Sequence, residues 1–189
     1  MKRIVIFASG SGTNAENIIK HFQRSTVITV VQVLSNKKDA KVLERVNRLN
    51  IKHIHFNRQD FYDSDTILDL VKEQADFIIL AGFLWKVPEA IIRSFPNKII
   101  NIHPALLPKF GGKGMYGMRV HQSIIDQKEK ETGITIHYVN ENYDEGAIIF
   151  QKKVSVSKDD TPETVAHKVH QLEYEYFPKI IEKVILENG

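Results

Sequence analysis

Three short segments carry side chains suited to chemistry. In Asn101-Ile102-His103-Pro104 an amide and an imidazole stand two residues apart. On an extended strand, side chains at i and i+2 point to the same face, so Asn101 and His103 can both hydrogen-bond one carbonyl oxygen. Taken alone, such a pair is more often a satisfied structural histidine than a reacting one. Asp144, in Tyr143-Asp144-Glu145-Gly146, reads by itself as turn chemistry. A carboxylate brought to His103 favours the protonated imidazolium, but sequence spacing does not show that contact. The third segment is Ser9-Gly10-Ser11-Gly12-Thr13-Asn14-Ala15, where glycines permit a sharp turn and free N–H groups at a helix start attract an anion. Gly10, Gly12 and Ala15 match a dinucleotide fingerprint. The acidic residue expected about 20 positions on is replaced by Ser35-Asn36-Lys37-Lys38, which argues against NAD and leaves NADP open. A tight turn without a ligand is the plain alternative.

The elements that must position these residues follow from hydrophobic patterning. Residues 4–8, 27–34, 77–81 and 98–102 are short apolar runs rich in Val and Ile, as expected of strands buried on both faces of a parallel sheet. Residues 51–56 are a weaker candidate. Val42, Leu43, Val46 and Leu49 follow helical spacing, with Asp39 near the start and Asn50 as a stop; Ile67, Leu68 and Val71 repeat the pattern after Asp63-Ser64. Strand–helix alternation over the first hundred residues predicts a doubly wound, Rossmann-like, mostly parallel α/β sheet. Residues 103–118, with several glycines and prolines, read as a long loop of the kind that often carries function. Residues 133–140 and 147–156 read as strands joined by a turn, an antiparallel C-terminal part. A long final helix opens at Thr161-Pro162 with Thr161 as N-cap, and Pro178 is expected to kink or interrupt it. The whole reads as one domain over residues 1–189, with residues 1–100 as a nucleotide-binding half and 101–189 as a catalytic half.

Composition bounds the rest. The 189 residues suit a single domain with its own core. The absence of cysteine excludes disulfides, thiolate metal sites and cysteine nucleophiles, and suits a cytoplasmic enzyme. The net charge of +3 comes from basic residues spread along the chain, so no nucleic-acid or membrane stripe is expected. No apolar stretch approaches the roughly 20 residues of a membrane helix. His167 and His170 are i, i+3 on the final helix without an evident third ligand, and no metal site is expected.

Taken together, the Ser9–Asn14 loop, Leu34–Lys37, Leu80–Phe83, the run Asn101–Lys109, Gly133–Tyr138, Tyr143–Gly146 and Glu173 resemble, in order along the chain, the glycinamide ribonucleotide formyltransferase family of purine biosynthesis. The resemblance implies formyl transfer from 10-formyltetrahydrofolate to the substrate amine without a metal. It implies that Asn101 and His103 bind the formyl oxygen and that Asp144 keeps His103 cationic. It places the ribonucleotide phosphate at Gly12, Thr13 and Asn14, the ribose at Glu173 and a phosphate-side contact at His170. The folate pteridine falls at Leu84, Trp85, Lys86 and Val87 and at Asn140, Glu141, Asn142 and Tyr143. Small molecules are then the partners, and the chain is a monomer or homodimer. Two departures stand out: the family's folate-contacting arginine is missing from Phe61–Asp65, and the glycine loop after Lys109 is longer than the usual form. Rival readings are a formyltransferase for a nucleotide-sugar amine, a formyl-folate hydrolase (with an expected N-terminal regulatory domain), transfer to methionyl-tRNA (with an expected C-terminal domain), and an NADP-binding reductase or nucleotide-binding module.

Overall fold

The computed structural model describes residues 1–188. The chain forms strands β1 (Lys2–Phe7), β2 (Ile28–Ser35), β3 (Lys52–His55), β4 (Phe77–Leu80), β5 (Ile99–His103), β6 (Glu131–Tyr138) and β7 (Ile148–Ser155). Their order in the seven-stranded sheet is β3-β2-β1-β4-β5-β6-β7. Pairing is parallel at β1–β2, β1–β4 and β2–β3, and antiparallel at β6–β7. The expected mostly parallel sheet with an antiparallel C-terminal part is therefore borne out, the strand bounds lying within a few residues of those read from sequence. The helices are α1 (Thr13–Phe22), α2 (Lys41–Arg48), α3 (Thr66–Gln74), α4 (Glu89–Ser94), α5 (Met118–Asp126) and α6 (Pro162–Asn188).

Two compact units are present: Met1–Ile100 with the chain from Ile181 onward, and Asn101–Ile180. In the first, Ile4, Val5, Ile6, Ile78 and Ile79 are fully buried, the two-sided burial that their unbroken apolar runs imply. Helix α1 turns Ala15, Ile18, Ile19 and Phe22 inward, the i, i+3, i+4, i+7 stripe of an amphipathic helix. Asn50, read as the stop after α2, holds a left-handed φ of 56°, a conformation asparagine tolerates better than most residues.

In the second unit, β6 and β7 pair Thr135 with Gln151. Gln151 Nε2 donates to Thr135 Oγ1 at 2.8 Å and to the Leu107 carbonyl at 3.0 Å, while Thr135 donates to the Ala105 carbonyl at 2.7 Å. The segment leaving β5 is thus pinned to the two strands beside it in sequence order. Thr161 caps α6 as expected: its hydroxyl accepts from the Thr164 N–H at 3.3 Å, and Thr164 Oγ1 accepts from the Thr161 N–H at 2.9 Å, a reciprocal box closed by a hydroxyl.

Four elements differ from the sequence reading. A π-helical turn over Gln59–Asp63 and the six-residue α4 are too short for periodicity to reveal. Helix α5 follows the glycine loop with only Val120, His121 and Ile124 buried, too sparse an apolar stripe to read. Of the kink or interruption expected at Pro178, the interruption does not occur: α6 runs through it. A mid-helix proline costs about 3 kcal/mol. The neighbouring Phe177, Ile181, Val184 and Ile185 are buried, each contributing roughly 1.5–3 kcal/mol, which offsets the lost donor.

A Cβ added at Gly133 would lie 1.9 Å from the Lys152 carbonyl oxygen and 3.0 Å from Leu106 Cδ2. Gly133→Ala should therefore cost about 1–3 kcal/mol by forcing the strands apart. Urea denaturation of the variant checks this, and an unchanged midpoint would disprove it.

Candidate active site

Asn101 and His103 lie at the C-terminal end of β5, two residues apart, and His103 is buried. The turn after β6 carries Asp144 back to them. Its carboxylate lies 3.5 Å from His103 Nδ1 and 3.7 Å from His137 Nε2, and accepts the Gly112 N–H at 2.9 Å. The three residues expected to form the reacting centre are therefore brought together. Asp144 holds φ 57°, a left-handed backbone that aspartate visits at modest cost and that aims its side chain inward from a turn.

The long glycine loop closes around this trio. The Phe110 carbonyl accepts from His103 Nε2–H at 2.7 Å. Phe110 itself has φ 57°, an outlier for a bulky residue that surrounding contacts must hold. A Cβ at Gly111 would meet Leu107 Cδ2 at 2.5 Å and Asp144 Cβ at 3.3 Å, so a larger residue would push the loop off Asp144.

Electrostatics qualify the expected cation. His103 has an acceptor on each side, the Phe110 carbonyl and the Asp144 carboxylate, which only an imidazolium satisfies in full. Burial opposes the charge and prevails: the His103 pKa lies below the ordinary histidine value, with Asp144 and the Phe110 carbonyl drawing it back up. The expectation that Asp144 keeps His103 cationic is therefore right in the direction of Asp144's influence, but burial outweighs it in this state. For Asp144, burial pushes the carboxyl up, but the His137 ring, the His103 charge and the Gly112 N–H together hold it below the usual carboxylate value.

Nothing in the sequence reading singled out His137. It is buried; its ring accepts Asn101 Nδ2–H at 3.1 Å through Nε2, and Nδ1–H donates to the Tyr138 carbonyl at 2.8 Å. The available signal was its place on β6 two residues after Thr135, across a register shift between Ile136 and His137.

The remaining carried-over positions fall in separate places. In the first unit, Gly12 has φ 76°, and a Cβ there would lie 2.5 Å from Val42 Cβ. Thr13 and Asn14 open α1. The place where a dinucleotide fold keeps its acid holds Asn36, whose Oδ1 accepts the Ser9 hydroxyl at 2.6 Å; Ser9 Oγ in turn accepts the Leu84 N–H at 2.9 Å. The glycine loop is thereby tied to the segment Leu84–Val87, of which Val87 is buried and Lys86 exposed. Trp85, Tyr62 and Arg58 cluster there, the guanidinium lying 4.8 Å from the Tyr62 ring centroid and 5.6 Å from that of Trp85. An arginine is thus present beside Phe61–Asp65, though not within it. In the second unit, Asn140, Glu141, Asn142 and Tyr143 form a half-buried to exposed turn, with Asn140 Oδ1 accepting the Asn142 N–H at 3.0 Å.

On α6, His170 Nδ1 lies 2.9 Å from buried Glu173, which raises the His170 pKa. His121 of α5 faces His170 at 6.4 Å between ring centroids.

The formyl transferase family profile matches residues 2–181. The chain belongs to the formyl transferase family. Among its relatives, the phosphoribosylglycinamide formyltransferase of Bacillus subtilis is 31% identical over 98% of this chain and 95% of its own length. The chloroplastic phosphoribosylglycinamide formyltransferase of Arabidopsis thaliana is 36% identical over 95% of this chain. This formyl transferase chain spans 64% of the Arabidopsis protein's length. The crystal structure of phosphoribosylglycinamide formyltransferase from Bacillus halodurans superposes with a TM-score of 0.87 at 36% identity, covering all of this chain and 97% of the other. The family resemblance read from the Asn101–Lys109 run is thus borne out. Among the described residues, no helix is long and apolar enough to cross a membrane, and no cluster of three potential metal ligands occurs.

Buried His121 generates a pH prediction. Burial, reinforced by the charge of His170 and of His103 and opposed by Glu173, pushes its pKa down to about 4. The unfolded chain takes up this proton near pH 6.5, whereas the folded chain resists it. Folding stability is therefore full above about pH 6.5 and falls toward pH 4, by up to roughly 3 kcal/mol from this group. Urea denaturation at about pH 7 and about pH 5 should show a shallower loss in His121→Phe than in the parent; equal slopes would sink the assignment.

Proposed function

We propose that this formyl transferase moves the formyl group of 10-formyltetrahydrofolate onto the amine of glycinamide ribonucleotide in purine biosynthesis. The observation that carries the reading is the meeting of Asn101, His103 and Asp144 around the end of β5, in a chain whose relatives bear that activity in their names.

The neutral substrate amine attacks the formyl carbon, forming a C–N bond as the carbonyl π pair moves onto oxygen. Asn101 donates an amide N–H to that oxyanion. His103 donates a second hydrogen bond once its Nε2–H turns from the Phe110 carbonyl to the substrate. Negative charge developing beside the ring raises its proton affinity and reverses the balance that burial sets in the free protein. Each preorganised donor of this kind is worth about 3–4 kcal/mol in the transition state. The new ammonium then loses a proton and the folate nitrogen gains one, through His103 or a water held by Asp144; the oxyanion pair re-forms the carbonyl as the bond from the formyl carbon to the folate nitrogen breaks and its electrons leave with folate. Orientation of the two substrates supplies the rest.

Gly12, Thr13 and Asn14 hold the phosphate at the start of α1, where N–H groups and the helix dipole favour an anion. Glu173 and His170 take the ribose side. Leu84–Val87 and Asn140–Tyr143 take the pteridine. Residues 1–100 are then mainly the nucleotide-binding half and 101–189 mainly the catalytic and folate half, with Leu84–Val87, His170 and Glu173 as the exceptions. Action on small molecules rather than nucleic acid, in the cytoplasm and as a monomer or homodimer, goes with this reading.

Absorbance at the formyl-folate to folate change, with and without glycinamide ribonucleotide, tests the proposal. Amine-dependent folate release is expected, whereas release without the amine would mark a hydrolase. Asp144→Asn keeps an acceptor for Gly112 but removes the charge beside both imidazoles. Its kcat should fall by about 10²-fold or more, with the KM for the ribonucleotide little changed; near-normal turnover would remove Asp144 from the mechanism. Gly12→Ala forces the loop away from Val42. It should raise the KM for the ribonucleotide more than it lowers kcat, and an unchanged KM would move the phosphate elsewhere.

A further inference from the structure

We infer that His137 is a positioning residue that fixes which way the Asn101 amide faces, and so decides whether Asn101 meets the formyl oxygen with a donor or an acceptor. The inference rests on the formyl-transfer reading above.

The argument is one of hydrogen-bond polarity. The Tyr138 carbonyl lies 2.8 Å from His137 Nδ1. A carbonyl only accepts, so Nδ1 carries a hydrogen. In the neutral ring, Nε2 then has a lone pair and no hydrogen. Asn101 Nδ2 stands 3.1 Å from Nε2, a hydrogen-bond distance, with the amide as donor. Asp144 Oδ1 is more distant from the same nitrogen, at 3.7 Å, a contact that becomes an attractive one, lowering the Asp144 proton affinity, only when the ring carries a second proton.

An amide rotated by half a turn would place Asn101 Oδ1 against the His137 lone pair, acceptor facing acceptor. The rotation is therefore disfavoured as long as His137 keeps this tautomer. The amide nitrogen has two hydrogens, and among the described residues Asn101 Nδ2 has no hydrogen-bond partner besides His137. The second hydrogen remains for the substrate. The flipped amide would instead present its oxygen to a developing oxyanion and convert stabilisation into repulsion. The Tyr138 carbonyl thus dictates the His137 tautomer, the tautomer dictates the Asn101 rotamer, and the rotamer supplies the donor. His137 is buried at 2% exposure, so water cannot readily substitute for its lone pair.

A double-mutant cycle in the amine-dependent folate assay tests this. His137→Leu removes the acceptor and should lower kcat by about 10- to 100-fold, a substantial part of the loss of one oxyanion donor, while the KM values for ribonucleotide and folate change little. In an Asn101→Ala background the same substitution should have almost no further effect, because the group it acts through is gone. His137→Gln, which places an acceptor near the Nε2 position, should recover much of the loss. Equal losses in both backgrounds, or no loss in the first, overturn the inference while leaving formyl transfer intact. Failure of the parent protein to release folate in the presence of the amine overturns the underlying reading instead. If His137→Leu does not fold, ¹⁵N NMR of the unaltered protein decides: a proton on Nδ1 with bare Nε2 supports the chain of contacts, and a proton on Nε2 refutes it.

Discussion

A largely buried carboxylate joins two histidines and the glycine loop in the second unit. Asp144 is 13% exposed, lies 3.5 and 3.7 Å from two imidazoles, and accepts a backbone N–H from the glycine loop. Burial alone would push its proton affinity up, and these neighbours together reverse that. Removing a charge from water is costly unless it is paired and hydrogen-bonded. Much of the unusual local geometry answers that cost: the left-handed backbone at Asp144 and Phe110, the glycine at 111 and the close approach of Gly112.

The same arrangement leaves His103 between opposing influences. Its surroundings offer two acceptors, yet its burial favours the neutral ring. In the proposed transfer, an imidazole poised this way suits a reaction in which charge is absent before attack and present during it. Under that proposal its proton affinity rises when the oxyanion forms and falls when it collapses, so the strongest hydrogen bond coincides with the transition state. The contact from His103 to the Phe110 carbonyl occupies the donor meanwhile and ties the extended glycine loop to this histidine.

Asparagine and histidine at the end of β5 depend in turn on β6. Thr135 and His137, two residues apart on β6, do different work: Thr135 with Gln151 fixes the backbone leaving β5, and His137 meets the Asn101 amide. One strand thus sets both the position and the orientation of the groups that β5 presents.

The sheet was legible because its strands are buried on both faces, and unbroken runs such as Ile4–Phe7 and Phe77–Leu80 have few other uses. The Thr161 cap and the Asn50 stop were legible because each depends on its immediate neighbours. The pairing of Asn101 with His103 came from strand period alone, and their family character from the run that follows them. Short or sparsely apolar elements, α4, α5 and the π turn, left no periodic trace. Pro178 does not end α6, because its local cost is fixed while the burial that offsets it comes from the rest of the helix's apolar face. The contact of Asp144 with His103, the entry of His137 and the lowered proton affinity of His103 depend on residues far apart in sequence. Residue type and spacing determined what these side chains are able to do. Only the tertiary structure decided their partners, tautomer and charge, because desolvation and hydrogen-bond polarity are set by what the fold brings alongside.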